Sequence, residues 1–306
     1  MTVSGSPIAS VVIPAHDEAV VIERCLVALT ESALPGELEI VVVCNGCSDS
    51  TADLARAHSY PLRVIETPIA SKPHALNLGD SVATSFPRIY LDADVVMDAN
   101  SIRALAAQLS GGSIHLAAPR LSIDLSHSSW LVRAYFRVWL QLPYARQNLI
   151  GSGVYGVSAV GRERFGLFPD TFAEDCFVRL LFPAGEKATV TTSSFRIRAP
   201  ARVRDLVSTL ARQRVGTREV CACYPEITRA ERAHQRLALL RLAAASDLWL
   251  STAVYAVIKL RAYGLCLWRS ASERRRVWHR DESTRTLLAA TRTADDEPRL
   301  TARARQ

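Results

Sequence analysis

Residues 8–18 have the sequence IASVVIPAHDE, in which an uncharged, largely apolar run ends at Pro14 and polar residues follow. A short apolar run bounded by polar or turn residues is typical of a strand that is buried on both faces. The run is too short for a secretory signal, and no basic region precedes it. It therefore predicts the first strand of a buried sheet, at Ser10–Pro14.

Strand and helix patterns then alternate along the N-terminal third of the chain. Apolar residues recur at helical spacing at Ile22, Cys25, Leu26 and Leu29, as expected for a helix with one buried face. The same patterns predict strands at Leu38–Cys44, Leu62–Glu66 and Arg88–Leu91, and helices from about Asp49 and over Pro73–Val82. The alternation indicates an α/β fold with a doubly wound, mostly parallel sheet and helices on both faces.

Polar and acidic residues follow three of these strands, at Ala15–Glu18, Asn45–Asp49 and Asp92–Asp94. In open α/β sheets, ligands bind at the carboxyl ends of the strands. Asn45-Gly46 is a turn dipeptide, and we expect Ser48 to cap the next helix and Asp49 to favour its positive end. The pattern predicts a ligand site at this edge.

Two acidic pairs carry the chemistry. Asp92 and Asp94 form a D-x-D that can present oxygens to one divalent cation, and Mg²⁺ and Mn²⁺ prefer such ligands; a solvated acidic loop is the alternative. Glu174 and Asp175 lie in an apolar context at the start of a predicted helix, Ala173–Phe182. Partial burial would raise a carboxylate pKa there and suit a general base; the alternative is that both residues favour a helix N-terminus.

These pairs belong to an ordered set of five segments. The others are PAHDE at 14–18, NGCSDST at 45–51 and KPHALN at 72–77. Over roughly residues 8–220, the order resembles the family 2 glycosyltransferases, which have the GT-A fold. The resemblance implies an inverting enzyme that uses a nucleoside diphosphate sugar and Mn²⁺ or Mg²⁺. It also implies a cytoplasmic location and a role in making a cell-envelope glycan.

The resemblance also assigns roles to residues. Asp94, helped by Asp92, would hold the metal against the diphosphate; Asp175 would accept the acceptor's proton, and Glu174 would contact the acceptor. Gly151, Ser152, Gly153 and Gly156 predict a strand where backbone approaches a neighbour closely, and the first three would contact the donor or acceptor sugar. The nucleotide sugar would contact Pro14, Ala15, His16, Glu18, Asn45, Asp49, Lys72, Asp92, Ala93, Arg212 and Arg214. Of these, Lys72 and the two arginines are candidates for neutralising phosphate, and a surface role for the arginines is equally open.

The chain departs from the family pattern at three places. Cys44-Asn45 replaces the two usual acids of the second segment, and Asn45 can both accept and donate a hydrogen bond, so uracil is not assumed as the base. Asp17 stands where the family often has Asn. The segment Gln213–Thr217 lacks the Arg and Trp of the Q-x-x-R-W found in processive members, which argues against a polysaccharide synthase.

The seven cysteines include a C-x-x-C at Cys44 and Cys47 and a C-x-C at Cys221 and Cys223. The first pair straddles a turn and the second has the wrong spacing for a zinc site. We therefore expect reduced thiols in a cytosolic protein.

The positive charge lies in the C-terminal quarter. Residues 226–306 hold 16 of the 37 Lys/Arg and 9 of the 30 Asp/Glu, an excess equal to the chain's net charge of +7. We predict a catalytic domain over 1–225 and a basic, partly apolar helical extension over 226–306, disordered after Pro298. Clustered Arg indicates an anionic surface partner or a solvated helix face; no nucleic-acid partner is expected.

An apolar run of 11 residues, Leu248–Ile258, lies within this extension. It falls short of the ~20 residues that span a bilayer, and extending it to Trp268 would bury Lys259 and Arg261. Flanking Trp and Arg residues suit peripheral membrane contact through residues 248–278. Packing on the catalytic domain remains the equal alternative.

Other protein classes fit less well. A sugar nucleotidyltransferase would need a glycine-rich loop, and Pro14–Glu18 contains no glycine. A dinucleotide oxidoreductase would need G-x-G-x-x-G after a strand, which is missing. A catalytically inactive nucleotide-sugar-binding protein is the alternative kept, although it would be expected to have lost one acidic pair. The sequence leaves open the sugar, the oligomeric state and the acceptor, lipid-linked acceptors included.

Overall fold

The computed structural model describes residues 6–142, 145, 152–171, 173–223 and 248–271. Seven strands in this part form one sheet in the order β3-β2-β1-β4-β6-β5-β7. Their bounds are β1 (Ala9–Ala15), β2 (Leu38–Asn45), β3 (Arg63–Thr67), β4 (Arg88–Leu91), β5 (Leu116–Asp124), β6 (Val154–Val157) and β7 (Lys187–Arg198). The sheet is parallel except at β6, which runs antiparallel to β4 and β5.

The helices of the described residues cover both faces of the sheet. Their bounds are α1 (Ile22–Thr30), α2 (Thr51–Arg56), α3 (Lys72–Val82), α4 (Ala99–Ser110), α5 (Trp130–Trp139), α6 (Ala159–Arg162), α7 (Glu174–Leu180), α8 (Val203–Cys223) and α9 (Trp249–Ala271), with a short 3-10 helix at Ala184–Glu186. Side chains of a strand alternate between faces. In β1, Val11 and Ile13 join the core under α1, α2 and α4, whereas Val12 joins the core under α3 and α7.

The predicted fold class is confirmed, because the sheet is mostly parallel and is covered by helices on both faces. The predicted strand Arg88–Leu91 has the observed bounds of β4, and the other N-terminal elements agree within one or two residues. The strand expected near Gly151–Gly156 is β6. Strands β5 and β7 were not predicted. Their polar outer residues weaken the apolar signal on which strand prediction depends.

The C-terminal helix α9 packs on α5 and α8. Its Tyr255 stacks on Tyr135 of α5 with ring centroids 4.9 Å apart, and Ile258 is buried in the same apolar cluster. One face of α9 therefore packs on neighbouring helices, as the alternative to membrane contact predicted. The predicted boundary between residues 225 and 226, and the disorder predicted after Pro298, lie outside the described residues, so the division into two domains stays a prediction.

Candidate active site

The carboxyl ends of three strands meet at one edge of the sheet. Strand β1 pairs in parallel with both β2 and β4, so the residues after Ala15, Asn45 and Leu91 emerge side by side. Ligands of open α/β sheets bind outside such ends. The topology thus brings together the three polar segments from which the sequence predicted a site.

Lys72 connects the two acidic pairs. It begins α3, where the hydroxyl of Ser71 caps the helix by accepting a hydrogen bond from the His74 N–H (3.3 Å). Its Nζ lies 2.6 Å from Oδ1 of Asp92 and 2.7 Å from Oε1 of Glu174. Burial alone would lower the pKa of this ammonium, but the two carboxylates outweigh burial and raise it. Lys72 thus neutralises carboxylates in this structure, and its contact with phosphate stays a prediction.

The turn that carries the D-x-D packs closely against Gly153. The N–H of Asp92 donates to the Gly153 carbonyl (2.7 Å), and Gly153 has a φ of +105°, which L side chains rarely adopt. A Cβ at this glycine would lie 2.7 Å from Cγ2 of Val95. The close backbone approach predicted here therefore exists, and the approaching group is the D-x-D turn. Ser152 lies half-buried beside it, and Gly151 lies outside the described residues.

The two D-x-D carboxylates have different environments. Asp94 is exposed, and the Arg24 guanidinium donates to its backbone carbonyl (3.2 Å). Asp92 faces Lys72 within the cleft. Burial raises the pKa of Asp92; Lys72 opposes this effect and the Asp94 carboxylate adds to it. The Asp92 and Asp94 carboxylates therefore still repel each other, although the Lys72 ammonium lies beside Asp92. Ala93 between them is buried.

Glu174 and Asp175 begin α7, as predicted. The Glu174 side chain is buried against Lys72, and the Asp175 carboxylate accepts a hydrogen bond from the Cys176 N–H (2.6 Å). Burial, joined by the neighbouring Glu174 carboxylate, raises the pKa of Asp175 to about 7, although Lys72 opposes the shift. A carboxylate that titrates near neutrality is suited to accept a proton from a hydroxyl.

A cleft lies between the acidic pairs, lined by Lys72, Leu76, Tyr90, Asp92, Gly153, Tyr155, Glu174 and Asp175. Tyr90, Tyr155 and Leu76 were not predicted as site residues. A signal for the tyrosines was present, because residues two apart in a strand point to the same side. Tyr90 precedes Asp92 by two positions, and Tyr155 follows Gly153 by two.

The ends of β1 and β2 are joined by hydrogen bonds between side chains and backbone carbonyls. The His16 Nδ1 lies 2.6 Å from the Asn45 carbonyl oxygen, and the Asn45 side-chain amide donates to the Ala15 carbonyl (2.8 Å). Pro14 and Glu18 are buried beside them. Within the described part of the chain, the Asn45 Oδ1 is buried without a hydrogen-bond partner. Such an acceptor costs free energy unless a ligand completes it.

A second acidic group, the acidic turn, consists of Asp17, Cys47 and Asp49. One ligand atom from each lies within 4.8 Å of the others. Backbone N–H groups engage both carboxylates: Asp17 accepts from Ser48 (2.5 Å) and Asp49 (3.3 Å), and Asp49 accepts from Thr51 (3.0 Å). The prediction that Ser48 caps α2 was wrong. The helix begins at Thr51, and the Ser48 hydroxyl donates to Asp17 (3.1 Å) because the turn folds back onto the β1 segment.

The cysteine pair also belongs to this region. The Cys44 thiol hydrogen-bonds Cys47, which lowers the pKa of Cys47 to about 7 and raises that of Cys44. None of the six cysteines whose side chains the structure describes forms a disulfide. The group around Cys47 therefore combines one thiol with carboxylates, unlike the cysteine-rich ligand sets of structural zinc.

The two arginines predicted near phosphate lie on α8, and neither lines the cleft. The Arg214 guanidinium lies over the ring of Tyr263 in α9, 4.6 Å from its centroid, a cation–π contact between the helices. Arg214 is exposed and contacts α9 in this structure, and its contact with phosphate stays a prediction. Arg212 lies half-buried in the same helix.

A mostly parallel sheet with two acidic pairs at its carboxyl edge is the arrangement expected of the GT-A glycosyltransferases. Residues 10–163 match the family described as Glycosyl transferase family 2, and the chain belongs to this family. Its resemblance to family 2 is thereby confirmed, and with it the enzyme class, glycosyltransferase.

Known proteins agree with this class. The glycosyltransferase AglE of Haloferax volcanii is 29% identical over 125 residues, which cover 37% of this chain and 41% of that protein, so the match spans about two fifths of the relative's length. The mannosyltransferase PcManGT of Pyrobaculum calidifontis, solved with GDP-Man and Mn²⁺, has a TM-score of 0.64 at 19% identity, covering 87% of this chain and 88% of that one. Glucosyl-3-phosphoglycerate synthase of Mycobacterium tuberculosis, solved with Mn²⁺, UDP and phosphoglyceric acid, has a TM-score of 0.53 at 18% identity, covering 71% and 79%. These structures share the GT-A fold with this chain.

Proposed function

We propose that this protein transfers a sugar, with inversion, from a nucleoside diphosphate sugar to an acceptor hydroxyl, assisted by Mn²⁺ or Mg²⁺. The observation that carries the proposal is the position of the Lys72 Nζ, 2.6 Å from Asp92 and 2.7 Å from Glu174. It draws the D-x-D and the E-D pair to a single cleft. A displacement needs the leaving group and the base to be held together around one reacting carbon.

The charge of the cleft fits a divalent cation. Asp92, Glu174 and Asp175 line the cleft with Lys72, and Asp94 follows two residues after Asp92. Carboxylate oxygens are the ligands that Mg²⁺ and Mn²⁺ prefer. Asp94, which is exposed, and Asp92 would hold the metal. Its charge would stabilise the leaving diphosphate. Metal ions in the structures of PcManGT and the phosphoglycerate synthase support this part of the proposal.

Asp175 would be the general base. As the acceptor oxygen bonds to the anomeric carbon, the bond from that carbon to the diphosphate oxygen breaks, and Asp175 takes the hydroxyl proton. A single displacement inverts the carbon and needs no covalent sugar–enzyme intermediate. Glu174, held by Lys72, would orient the acceptor next to this base.

The nucleotide would lie along the segments after β1 and β2. Asn45 supports this, because its buried Oδ1 has no partner among the described residues. An amide both accepts and donates, so the base need not be uracil. The neighbours bind GDP-Man in one case and UDP in the other, and both bases belong in a test.

Thermal stability with nucleotides tests the donor and the metal together. A ligand that binds the native state raises its apparent stability, so GDP or UDP should raise the Tm with Mn²⁺ and less with chelator.

Asp94→Ala should abolish this Mn²⁺-dependent increment and lower sugar transfer by roughly 10³-fold, because the metal stabilises leaving-group charge by several kcal/mol. Asp98→Ala is the matched control. Asp98 caps α4, so its loss should cost about 1 kcal/mol of stability and spare activity. Full transfer by Asp94→Ala in chelator would refute the metal role, and nucleotide binding without transfer to any acceptor would favour the inactive binding protein.

We also propose peripheral contact with the cytoplasmic face of a membrane through residues 248–278. Among the described helices, α9 is long and apolar enough over Trp249–Trp268 to cross a membrane by length and composition. One face packs on α5 and α8; the other exposes Trp249, Leu250, Val257, Leu260, Tyr263, Leu267 and Trp268. Arg261 interrupts this exposed face, and arginines follow the helix in sequence. An apolar face with aromatic and basic flanks suits a membrane interface, where a lipid-linked acceptor would be at hand.

Vesicle co-sedimentation tests this contact. Binding to anionic vesicles should weaken as salt rises, because the Debye length shrinks to ~3 Å at 1 M. It should also weaken when Arg274, Arg275 and Arg276 become Ser. Neutral vesicles are the control. Equal recovery in the supernatant with and without anionic lipid at low salt would refute the membrane contact.

A further inference from the structure

Two tyrosines stand side by side in the wall of the cleft. Tyr90 of β4 and Tyr155 of β6 are direct partners in the antiparallel ladder, with ring centroids 5.2 Å apart. Their side chains are 3% and 4% exposed, and both line the cleft. Burial and strand position are therefore closely matched between them.

Their hydroxyl groups differ. The Tyr90 hydroxyl donates to Oδ1 of Asp80 (2.9 Å), and the other oxygen of Asp80 accepts from Arg162 (2.9 Å). The Tyr155 hydroxyl is buried, and the described residues provide it with no hydrogen-bond partner. Native proteins rarely leave a buried hydroxyl unpaired, because the lost hydrogen bonds to water are not replaced. Ser129, Tyr135 and Thr252 also have buried hydroxyls without a partner among the described residues, but of these four only Tyr155 lines the cleft, where a ligand can supply the partner.

The surroundings select the chemistry of that ligand. Asp92 and Glu174 line the same cleft, so an anionic group is disfavoured at this point. Burial, with the Glu174 carboxylate, raises the pKa of Tyr155 well above its usual range, so the phenol stays protonated and donates. A neutral group that bears a hydroxyl is therefore the ligand that fits this wall of the cleft.

We propose that the Tyr155 hydroxyl donates a hydrogen bond to a hydroxyl group on the sugar of the nucleoside diphosphate sugar, and that this contact helps to select the sugar. The inference rests on the proposed function. It assigns a role in sugar specificity to a residue of β6, a strand that carries neither the D-x-D nor the E-D pair.

Titration calorimetry with Mn²⁺ tests the contact. Dissociation constants are measured for GDP and GDP-mannose, and for UDP and UDP-glucose, on the wild type, Tyr155→Phe and Tyr90→Phe. Tyr155→Phe should leave the affinity for the nucleoside diphosphate unchanged and weaken binding of the preferred nucleotide sugar about tenfold, the upper range for one hydrogen bond. Tyr90→Phe should lower the Tm, because it breaks the bond to Asp80, and should leave the ratio of the two constants as in the wild type.

The outcomes separate the two proposals. If the ratio of constants in Tyr155→Phe stays within twofold of the wild type, Tyr155 does not contact the sugar, and the proposed function is unaffected. If neither diphosphate binds any of the three proteins, the proposed function fails and this inference fails with it. A loss of diphosphate affinity equal to the loss of nucleotide-sugar affinity would also overturn the sugar contact.

Discussion

Carboxylates cluster at two places along the same edge of the sheet, in the acidic turn after β2 and in the cleft beyond β4. In the turn, Asp17 and Asp49 accept hydrogen bonds from backbone N–H groups of neighbouring segments. In the cleft, Asp92 and Glu174 share the ammonium of Lys72. Cys47 accompanies the turn carboxylates, whereas two buried tyrosines line the cleft.

The difference lies in what balances the negative charge. Backbone donors are part of the fold, so the turn carboxylates are satisfied as soon as the loops form. In the cleft, one lysine faces several carboxylates, and the pKa values of Asp92 and Asp175 are raised. An unbalanced charge destabilises the folded state but leaves a place for a cation and a proton, so functional sites collect such groups. The comparison teaches that the partners of an acidic cluster, more than its residue types, indicate its role.

The largest effect is expected in the cleft, from a substitution of Asp175. Asp175→Asn is nearly isosteric but cannot accept the acceptor's proton, so kcat should fall by roughly 10²–10⁴-fold, the range for a general base. Donor binding, measured by calorimetry, should change little. In the wild type, kcat should rise with pH through about 7, because the base acts when deprotonated. This inflection should vanish in the variant. Near-normal kcat with a large loss of donor affinity would make Asp175 a binding residue.

Asp175→Asn should lower kcat but raise the stability of the folded protein. Because the pKa of Asp175 is raised from 3.8 to about 7, the folded protein favours the protonated form. This contribution to stability is fully present below pH 3.8 and is lost as pH rises toward 7. Asp175→Asn should therefore have a higher Tm than the wild type at pH 8, and the gain should shrink toward pH 4. A lower Tm at pH 8 would contradict the burial of an ionised carboxylate here.

Lys72→Met should have the next largest effect, on stability. Removing one partner of a buried ion pair costs about 3–5 kcal/mol, and we expect about 3 kcal/mol because the Asp92 side chain is 34% exposed. The loss in denaturant unfolding should be smaller at pH 5 than at pH 8, since protonated carboxylates no longer need the ammonium. Lys187→Met is the control. The Nζ of Lys187 donates to the Arg179 carbonyl (3.3 Å), and its loss should be smaller and nearly independent of pH. Equal losses at both pH values for Lys72→Met would contradict the charge-balance argument.

The smallest effect is expected in the acidic turn. Asp17 has a φ of +50°, a region that Asn and Asp adopt more readily than other non-glycine residues. Asp17→Asn keeps both this preference and an acceptor for the Ser48 N–H, so unfolding free energy should change by less than about 0.5 kcal/mol. Asp17→Ala loses both and should cost about 1–3 kcal/mol. If the two variants lose the same stability, the backbone hydrogen bonds do not hold this turn.

Local signals made much of the fold predictable. The strand Arg88–Leu91 is apolar, short and followed by acids, and its bounds were predicted as observed. The start of α7 at Glu174 follows from acids that favour the positive end of a helix. The antiparallel course of β6 was not predicted, because strand direction depends on how the intervening chain returns to the sheet. Ser48 was wrongly assigned to a helix cap because its partner, Asp17, lies on another strand's loop.

The sequence by itself determined the protein's class. Five short segments in a particular order resemble those of the family 2 glycosyltransferases, and the resemblance could be seen in the sequence because each segment consists of adjacent residues. Tertiary structure decided how those residues share the cleft. It placed Lys72 between the two acidic pairs, and among the described residues it gave Tyr90 a hydrogen-bond partner and Tyr155 none. Residue type and spacing report what a side chain can do. Its charge balance and hydrogen-bond partners come from segments far away in the chain, and packing alone brings these together.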